Sequence, residues 1–263
     1  MKSSNKYMLE TLIINKDYSD GKIVVKSFDE LRNIIEDRYE KLGPGTNQNP
    51  IDFNDIDVSN IYSFYNEDKG IFENTYFKYI DISDWDVSNA KSMRRMFYGC
   101  DELKSVGDIS KWDVSNVTNM MSMFLDCNFF NQDISKWDVS SVEDMHYMFG
   151  GCKSFNQDLS KWDVSNVTDM KFMFCYCESF NKDISNWNVS NVTDMWYMFS
   201  GCKKFNQDIS KWNVSSVTDM IGMFYKCESF NQDISNWDVS KVRRRVYMFD
   251  KCPIKEEYKP KFK

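Results

Sequence analysis

The sequence predicts an α/β repeat solenoid of about eight coils, each made of a short parallel strand and a short helix, behind an N-terminal cap. The first observation is a phrase, Phe-Asn-x-Asp-Ile-Ser-x-Trp-x-Val-Ser, whose tryptophan returns every 25 residues from Trp112 to Trp237. Units of this length stack on their neighbours because one unit cannot bury its apolar face alone. The second observation is helix-like spacing of the apolar residues that follow the phrase.

The helix of each coil is predicted from the second half of the repeat. The apolar residues after Ser141 are Val142, Met145, Met148, Phe149 and Cys152. At 100° per residue they lie within an arc of about 120°, as on an amphipathic helix. Ser141, with an aspartate three residues later, is a variant of the capping box, and Asn116, Asn166 and Asn191 repeat the capping position. We therefore expect a short helix to begin at each of these residues.

The strand of each coil is predicted from the first half of the repeat. Ile134, Trp137 and Val139 are apolar residues in a polar stretch that is too short for a second helix. We expect residues 132–137 to be extended and to pair in register with their copies. A strand and a helix within 25 residues is the plan of a leucine-rich repeat, so the fold is expected to be leucine-rich-repeat-like.

The whole repeat carries a resemblance to a known family. Its phrase continues as Val-x-x-Met-x-x-Met-Phe-x-x-Cys and is nearly intact from Phe130 to Cys252. Over about residues 52–252 the chain is similar to the BspA-like leucine-rich-repeat surface proteins, whose repeats were first described as mycoplasma proteins of unknown function. The resemblance implies a repeat solenoid used for surface display, adhesion or protein interaction, and it implies no enzymatic residues.

Three regions are predicted along the chain. Residues 1–50 form an N-terminal cap, residues 51–252 form the repeat solenoid, and residues 253–263 form a basic C-terminal tail. Terminal units of repeat arrays differ from the others because one of their faces has no neighbour.

The cap is predicted to contain a hairpin and a helix. Leu12–Ile14 and Ile23–Val25 flank Asp20-Gly21, a pair of residues typical of tight hairpin turns. Ser27-Phe28-Asp29-Glu30 is a capping box, and we expect it to begin a helix that ends near Leu42.

Charge and hydropathy exclude some classes of partner. The net charge of −7 argues against nucleic acid, because binding to phosphates requires clustered Lys and Arg. No window has the 18 or more apolar residues of a membrane span, and residues 1–21 lack the apolar core of a signal peptide. We expect a cytoplasmic location, and the family resemblance gives the cell surface as the alternative.

Two rows of identical residues are expected to serve the stack. Seven cysteines share one repeat position, and we expect buried thiols there because neighbouring copies lie too far apart for disulfides. An aspartate precedes the isoleucine of each phrase, and we expect it to accept hydrogen bonds from nearby backbone N–H or serine hydroxyl groups. The alternative for this row is a bound cation such as calcium. These aspartates are Asp81, Asp108, Asp133, Asp158, Asp183, Asp208 and Asp233.

The positions that vary between copies suggest a contact surface. Between the two methionines of the predicted helix, the second variable residue should point away from the apolar stripe. Tyr147, Phe172 and Tyr197 occupy this position in three adjacent repeats, flanked by Trp196 and Tyr176. Aromatic residues on a face with no core to fill are candidates for partner binding, and the alternative is that they are incidental.

No catalytic constellation is evident in the sequence. His146 is the only histidine, it lies at a variable position, and no glycine-rich phosphate loop is present. We therefore predict a non-catalytic protein-interaction scaffold, without cofactor or metal, that binds an unidentified protein through an extended surface. The alternative is a cell-surface adhesin that recognises a host protein or glycan.

Overall fold

A computed structural model describes residues 17–262. Within this range the chain has one α-helix, one short 3₁₀ helix at Glu256–Tyr258 and seven short strands. The strands are β1 (Asp17–Ser19), β2 (Lys22–Val24), β3 (Ile51–Asp52), β4 (Ile56–Asp57), β5 (Tyr65–Asn66), β6 (Lys69–Gly70) and β7 (Ile80–Asp81).

The predicted hairpin is confirmed in its turn and its second strand. Strands β1 and β2 are antiparallel, with Tyr18 opposite Ile23. Asp20 and Gly21 connect them with φ angles of 51° and 78°, the left-handed conformation that a tight hairpin turn requires. Leu12–Ile14, predicted as the first strand, lies outside the described residues.

The predicted cap helix is also confirmed as α1 (Phe28–Leu42). The Ser27 hydroxyl accepts from the N–H of Glu30 at 3.2 Å, so the capping box forms as expected. The helix ends at Gly43, whose φ is 73°. Its buried face includes Leu31. No helix in residues 17–262 is both long enough and apolar enough to cross a bilayer.

The strands form three small separate sheets, and they end early in the chain. One sheet has the order β1-β2-β4, the second pairs β3 with β7 in parallel, and the third pairs β5 with β6 in antiparallel. Beyond Asp81 the described chain has no named strand, and consecutive repeats are joined by single parallel bridges. These bridges link Ser92 to Asn119, Asn119 to Asp144, Asp144 to Asp169, Asp169 to Asp194, Asp194 to Asp219 and Asp219 to Arg244.

The prediction of an α/β, leucine-rich-repeat-like solenoid is therefore wrong. The structure does not contain eight coils of strand plus helix, because the repeats of the described chain hold neither a helix nor a named strand. Residues 142–152, predicted as a helix, form turns around a single bridge at Asp144. Residues 132–137, predicted as a strand, form irregular backbone and a turn.

The apolar spacing that suggested a helix comes instead from consecutive β-turns. The N–H of Met148 donates to the carbonyl of Met145, and the N–H of Cys152 donates to the carbonyl of Phe149, both at 3.0 Å. The first and fourth residues of each turn are buried, and this produces the same three-residue spacing as a helix face. Tyr147, inside the first turn, has a φ of 58°, which an α-helix does not accommodate.

The residues predicted as helix caps bind the preceding repeat instead. The side-chain amide of Asn166 donates to the carbonyl of Ser140 at 2.7 Å. Asn191 makes the same bond to Ser165 at 2.7 Å. The polar residue at this position is thus used between repeats rather than at a helix end.

A row of backbone hydrogen bonds joins each repeat to the next. Alternate N–H groups of one turn segment donate to carbonyls of the following repeat at 2.7 to 3.0 Å. At one junction the donors are Met120, Ser122, Phe124 and Asp126, and the acceptors are Asp144, His146, Met148 and Gly150. Because the same bonds recur at the next junctions, the repeats stack in parallel and in register.

Aromatic side chains fill the interior of the stack. Phe149 stacks on Phe174 of the next repeat at 5.6 Å between ring centroids, and on Phe155 of its own repeat at 4.2 Å. Trp162 is buried, and its indole N–H donates to the carbonyl of Ile134 in the preceding repeat at 3.1 Å. Such rings combine apolar burial with a satisfied polar group.

The expectation of buried thiols without disulfides is confirmed. All eight cysteines are free, and seven of them are buried. The Cys152 thiol donates to the carbonyl of Phe124 in the preceding repeat at 3.0 Å. Burial raises the pKa of Cys152 well above its ordinary value, so this thiol is protonated and unreactive at neutral pH.

The aspartates of the repeated phrase accept local hydrogen bonds, as expected. The N–H of Ser135 donates to Asp133 at 2.9 Å, and the N–H of Ser160 donates to Asp158 at 2.9 Å. This bond between an aspartate and the N–H two residues later closes an Asx turn. The carboxylates therefore fix the local backbone, and their charge is partly balanced by N–H and hydroxyl donors.

We predict that Trp162→Ala lowers the free energy of unfolding by about 3 to 5 kcal/mol, since it empties a buried site and leaves the carbonyl of Ile134 without its donor. Urea denaturation followed by circular dichroism measures this change. The control is Trp196→Ala, because Trp196 is only half-buried and its indole N–H has no hydrogen-bond partner among the described residues. The control should lose under about 2 kcal/mol. Equal losses at the two sites would contradict the assignment of Trp162 to the core.

We also predict that stability falls in acid. Hydrogen bonds from the hydroxyl and N–H of Ser135 hold the pKa of Asp133 below its ordinary value of 3.8, and Ser160 does the same for Asp158. A lowered folded-state pKa contributes stability that is complete above the ordinary value and is lost as pH falls through the folded value. The melting temperature should therefore decrease as pH falls from about 5 to about 3.

The Ser135→Ala/Ser160→Ala variant tests the cause of this pH dependence. Without the two hydroxyl donors, the melting temperature of the variant should fall less steeply below about pH 4. The matched control is Ser229→Ala, an exposed serine outside the Asp-Ile-Ser segment. If the double variant follows the unmodified protein over the whole range, these hydrogen bonds are not the source of the acid sensitivity.

Candidate functional site

The predicted binding residues lie at the corners of the turns. The φ angles of Tyr147, Phe172 and Tyr197 are 58°, 55° and 53°. Such left-handed backbone is uncommon for residues other than glycine, and the neighbouring bonds hold it in place. In the first copy, the Asp144 carboxylate accepts from the N–H of His146 at 2.9 Å, directly before the corner.

Three aromatic rings from adjacent repeats stack into one column. Tyr147 and Phe172 have ring centroids 4.3 Å apart and planes within 6° of parallel. Phe172 and Tyr197 are 5.3 Å apart and within 9° of parallel. We call Tyr147, Phe172 and Tyr197 the aromatic column. The structure therefore brings these three predicted residues together.

Two further rings extend the column sideways. Trp196, also a predicted binding residue, lies 5.2 Å from Phe172 and 5.9 Å from Tyr197. His146 lies 4.6 Å from Tyr147, and sequence reasoning treated it only as a surface histidine. Its position beside Tyr147, equivalent to that of Trp196 beside Tyr197, was the signal in the sequence. We call the column with His146 and Trp196 the aromatic surface.

Tyr176 is not part of this cluster. It occupies a second left-handed position, with a φ of 58°, and it is 46% exposed. Its ring lies against Gly201 of the next repeat, where an added Cβ would be 2.6 Å from the ring. Within residues 17–262 it makes no ring contact with the other four predicted residues, so it is a neighbour of the site at most.

The expectation that the column points straight outward is corrected by the structure. Tyr147, Phe172 and Tyr197 are half-buried, because each ring lies over the adjacent repeat. The outward direction was derived from helix geometry, and no helix forms here. The rings are therefore held in place by packing and leave only part of their surface to solvent.

A glycine marks the end of the column. Gly222 occupies the position of Tyr197 in the next repeat, and its φ is 56°. A Cβ at Gly222 would lie 2.4 Å from Cε1 of Tyr197, so the ring rests directly on the glycine backbone. Beyond it, Tyr225 contacts Tyr197 edge-on at 6.3 Å.

Charged residues border the aromatic surface. The Lys171 ammonium lies 2.7 Å from the carboxylate of Asp169 and 4.0 Å from that of Asp194. The bond from Asp169 raises the pKa of Lys171. Burial raises the pKa of Asp194, and the N–H of Trp196 opposes this by donating to the same carboxylate. The bridge positions thus carry a paired acidic row beside the rings.

At the far side, Arg244 completes this border. It lies 2.8 Å from the buried carboxylate of Asp219. Its guanidinium carbon is also 5.7 Å from the centre of the Trp196 ring, within the range of a cation–π contact. Sequence reasoning missed Lys171, Asp219 and Arg244, because ion pairs between repeats do not follow from the spacing of a single repeat.

The aromatic surface itself is uncharged at neutral pH. Burial lowers the pKa of His146 below its ordinary value of 6.5, so its ring is neutral at pH 7. Burial also raises the pKa of both Tyr147 and Tyr197. No group of three or more His, Cys, Asp or Glu side chains in the described part of the chain is placed to hold a metal ion. The arrangement offers stacked rings for apolar contact.

These observations define a tandem-repeat protein with an aromatic surface built on turn corners. The family described as "Mycoplasma protein of unknown function, DUF285" matches the chain twice, over residues 66–174 and residues 157–260. The chain belongs to this family. The match gives the mycoplasma family and not the narrower BspA-like leucine-rich-repeat family. No curated protein matches the chain.

We predict that Gly222→Ala destabilises the protein by about 1 to 3 kcal/mol, from left-handed backbone strain and from the clash with the Tyr197 ring. Chemical denaturation measures the loss. In a Tyr197→Ala background the clash is absent, so the same glycine substitution should cost only about 1 kcal/mol. Equal costs in the two backgrounds would show that the ring does not rest on Gly222.

Proposed function

We propose that this protein is a non-catalytic interaction scaffold that binds a protein partner through its aromatic surface. The observation that supports the proposal is the stacked column of Tyr147, Phe172 and Tyr197, which crosses three repeats and stays partly exposed. Ser122 occupies the equivalent corner of an earlier repeat with a φ of 55°, so the fold does not require a ring at this position. The rings are therefore available for a role other than folding.

The preorganisation of the rings favours binding. Binding free energy is concentrated in a few Trp, Tyr and Arg side chains near the centre of an interface. Rings that already stack at 4.3 and 5.3 Å lose little conformational entropy when a partner covers them. Trp196 and Tyr197 lie side by side at one end of the column, and we expect the binding energy to be concentrated there.

The border of the surface indicates the kind of partner. Lys171 and Arg244 are paired with aspartates, so they present a polar rim around neutral rings. An apolar centre inside a polar rim is the usual arrangement of a protein–protein interface. We therefore expect a protein partner that offers apolar or aromatic side chains to the column.

The alternative is a cell-surface adhesin that uses the same surface to recognise a host protein or glycan. The resemblance to BspA-like surface proteins supports it, and exposed aromatic rings are also suited to stacking on sugars. Protease treatment of intact cells separates the two proposals. Degradation of the protein before lysis favours the adhesin, and its protection until lysis favours an internal scaffold.

We predict that the variant Tyr147→Ser/Phe172→Ser/Trp196→Ser/Tyr197→Ser binds the partner at least tenfold more weakly, about 1.4 kcal/mol. Serine is suitable because Ser122 already adopts the left-handed corner. Affinity is measured by calorimetry with a partner identified by cross-linking, and circular dichroism verifies folding.

The matched control replaces two exposed tyrosines away from the column. Tyr62 and Tyr76 are 65% and 64% exposed, and Tyr62→Ser/Tyr76→Ser should leave the affinity unchanged. If the folded quadruple variant binds as tightly as the unmodified protein, the aromatic surface is not the binding site. If the control variant also loses binding, the contact is not specific to the column.

A further inference from the structure

The row of backbone bonds between repeats has an unpaired end. The N–H groups of Met220, Gly222, Phe224 and Lys226 donate to carbonyls of the following repeat at 2.8 to 2.9 Å. The equivalent donors of that following repeat are the N–H groups of Arg245, Tyr247, Phe249 and Lys251. Within residues 17–262, no acceptor is bonded to any of these four N–H groups. We call residues 245–251 the donor edge.

The donor edge presents donors without matching acceptors. The carbonyls of Arg245 and Tyr247 each accept a turn bond at 3.2 Å from within the same repeat, and that of Phe249 accepts one at 3.1 Å. The alternate carbonyls accept from the preceding repeat. An ordinary strand edge offers both donors and acceptors, so this edge is unusual in what it can pair with.

This polarity argues against a second copy as the occupant. Two donor edges cannot pair with each other, because neither provides acceptors. Pairing of the donor edge with the opposite end of another copy is hindered as well. There, Arg32 of helix α1 already donates to the carbonyls of Gly70 and Ile71, at 3.1 and 2.8 Å.

The charge around the donor edge points to an acidic partner. Residues 241–262 contain eight Lys and Arg residues against three Asp and Glu residues, in a chain whose net charge is −7. Arg243 and Lys251 are exposed beside the edge. Val246 and Tyr247 are 58% and 56% exposed, so apolar surface accompanies the charge.

The edge also borders a cleft. The guanidinium of Arg245 lies 4.7 Å from the centre of the Phe262 ring, and the Lys259 ammonium lies 5.5 Å from that of Phe249. The cleft between these two segments is lined by Arg245, Phe249, Lys259 and Phe262. An extended chain that followed the donor edge would run beside this basic and aromatic wall.

We propose that the donor edge binds an extended acidic segment of a partner protein. Its backbone carbonyls accept from the N–H groups of Arg245, Tyr247, Phe249 and Lys251, and its carboxylates pair with Arg243 and Lys251. This is strand addition, in which main-chain hydrogen bonds provide affinity and side chains provide specificity. The site is separate from the aromatic surface and does not depend on the function proposed for it.

Amide hydrogen exchange tests the proposal directly. The probe is a nine-residue peptide of alternating glutamate and valine, blocked at both ends and added to the ¹⁵N-labelled protein. Without peptide, the N–H groups of the donor edge should exchange quickly, whereas those of Met220, Gly222, Phe224 and Lys226 should be protected. At saturating peptide, exchange at the four donor-edge N–H groups should slow at least tenfold.

Charge variants test the electrostatic part. Arg243→Glu/Lys251→Glu should weaken peptide binding at least tenfold, and the control Lys161→Glu/Lys211→Glu, which changes exposed lysines elsewhere, should leave it unchanged. A peptide of alternating lysine and valine should not bind. The variant with serine at Tyr147, Phe172, Trp196 and Tyr197 should retain peptide binding, which separates this site from the aromatic surface.

Several outcomes would overturn the proposal. The first is no binding of the acidic peptide, and the second is binding without slower exchange at the donor edge. Equal binding of the lysine peptide would remove the acidic specificity. Loss of peptide binding in the serine variant, with the Arg243→Glu/Lys251→Glu variant unaffected, would place the peptide on the aromatic surface instead.

Discussion

The structure depends on one interaction, the hydrogen bond from a backbone N–H in one repeat to a carbonyl in the next. At each junction these bonds recur at alternate residues, such as from Ser122 to His146 at 2.8 Å. They can form only if each turn segment keeps the same path, and the left-handed corners and Asx turns provide that path. The buried rings add apolar stabilisation, but the N–H row decides which residues come together.

The period, the thiol row and helix α1 could be predicted from the sequence because each depends on local spacing or on residue type. The repeat backbone could not, since buried residues at turn ends and on a helix face share a three-residue spacing. A comparison of copies held one clue. Gly151 and Gly201 occupy the position that Tyr176 occupies in the repeat between them, and all three have positive φ. Glycine at a recurring position indicates a left-handed turn even where other copies carry a tyrosine.

The candidate site shows the same division. The adjacency of Tyr147, Phe172 and Tyr197 followed from the repeat length, because equivalent residues of stacked units are neighbours. Their half-burial did not follow, since it depends on where the corner directs each ring. The pairing of Arg244 with Asp219 is also a property of two neighbouring repeats that differ, and no consensus of the repeat contains it.

The uniform junction also determines how such a gene can change length. A deletion that joins a point in one repeat to the same point in the next removes 25 residues and recreates a junction of the same kind. A deletion of any other length shifts donors away from their acceptors and leaves buried polar groups unpaired. Recombination between near-identical copies produces whole-unit changes by its nature. The spacing between the aromatic surface and the donor edge is thus a quantity that evolution can alter in single-repeat steps.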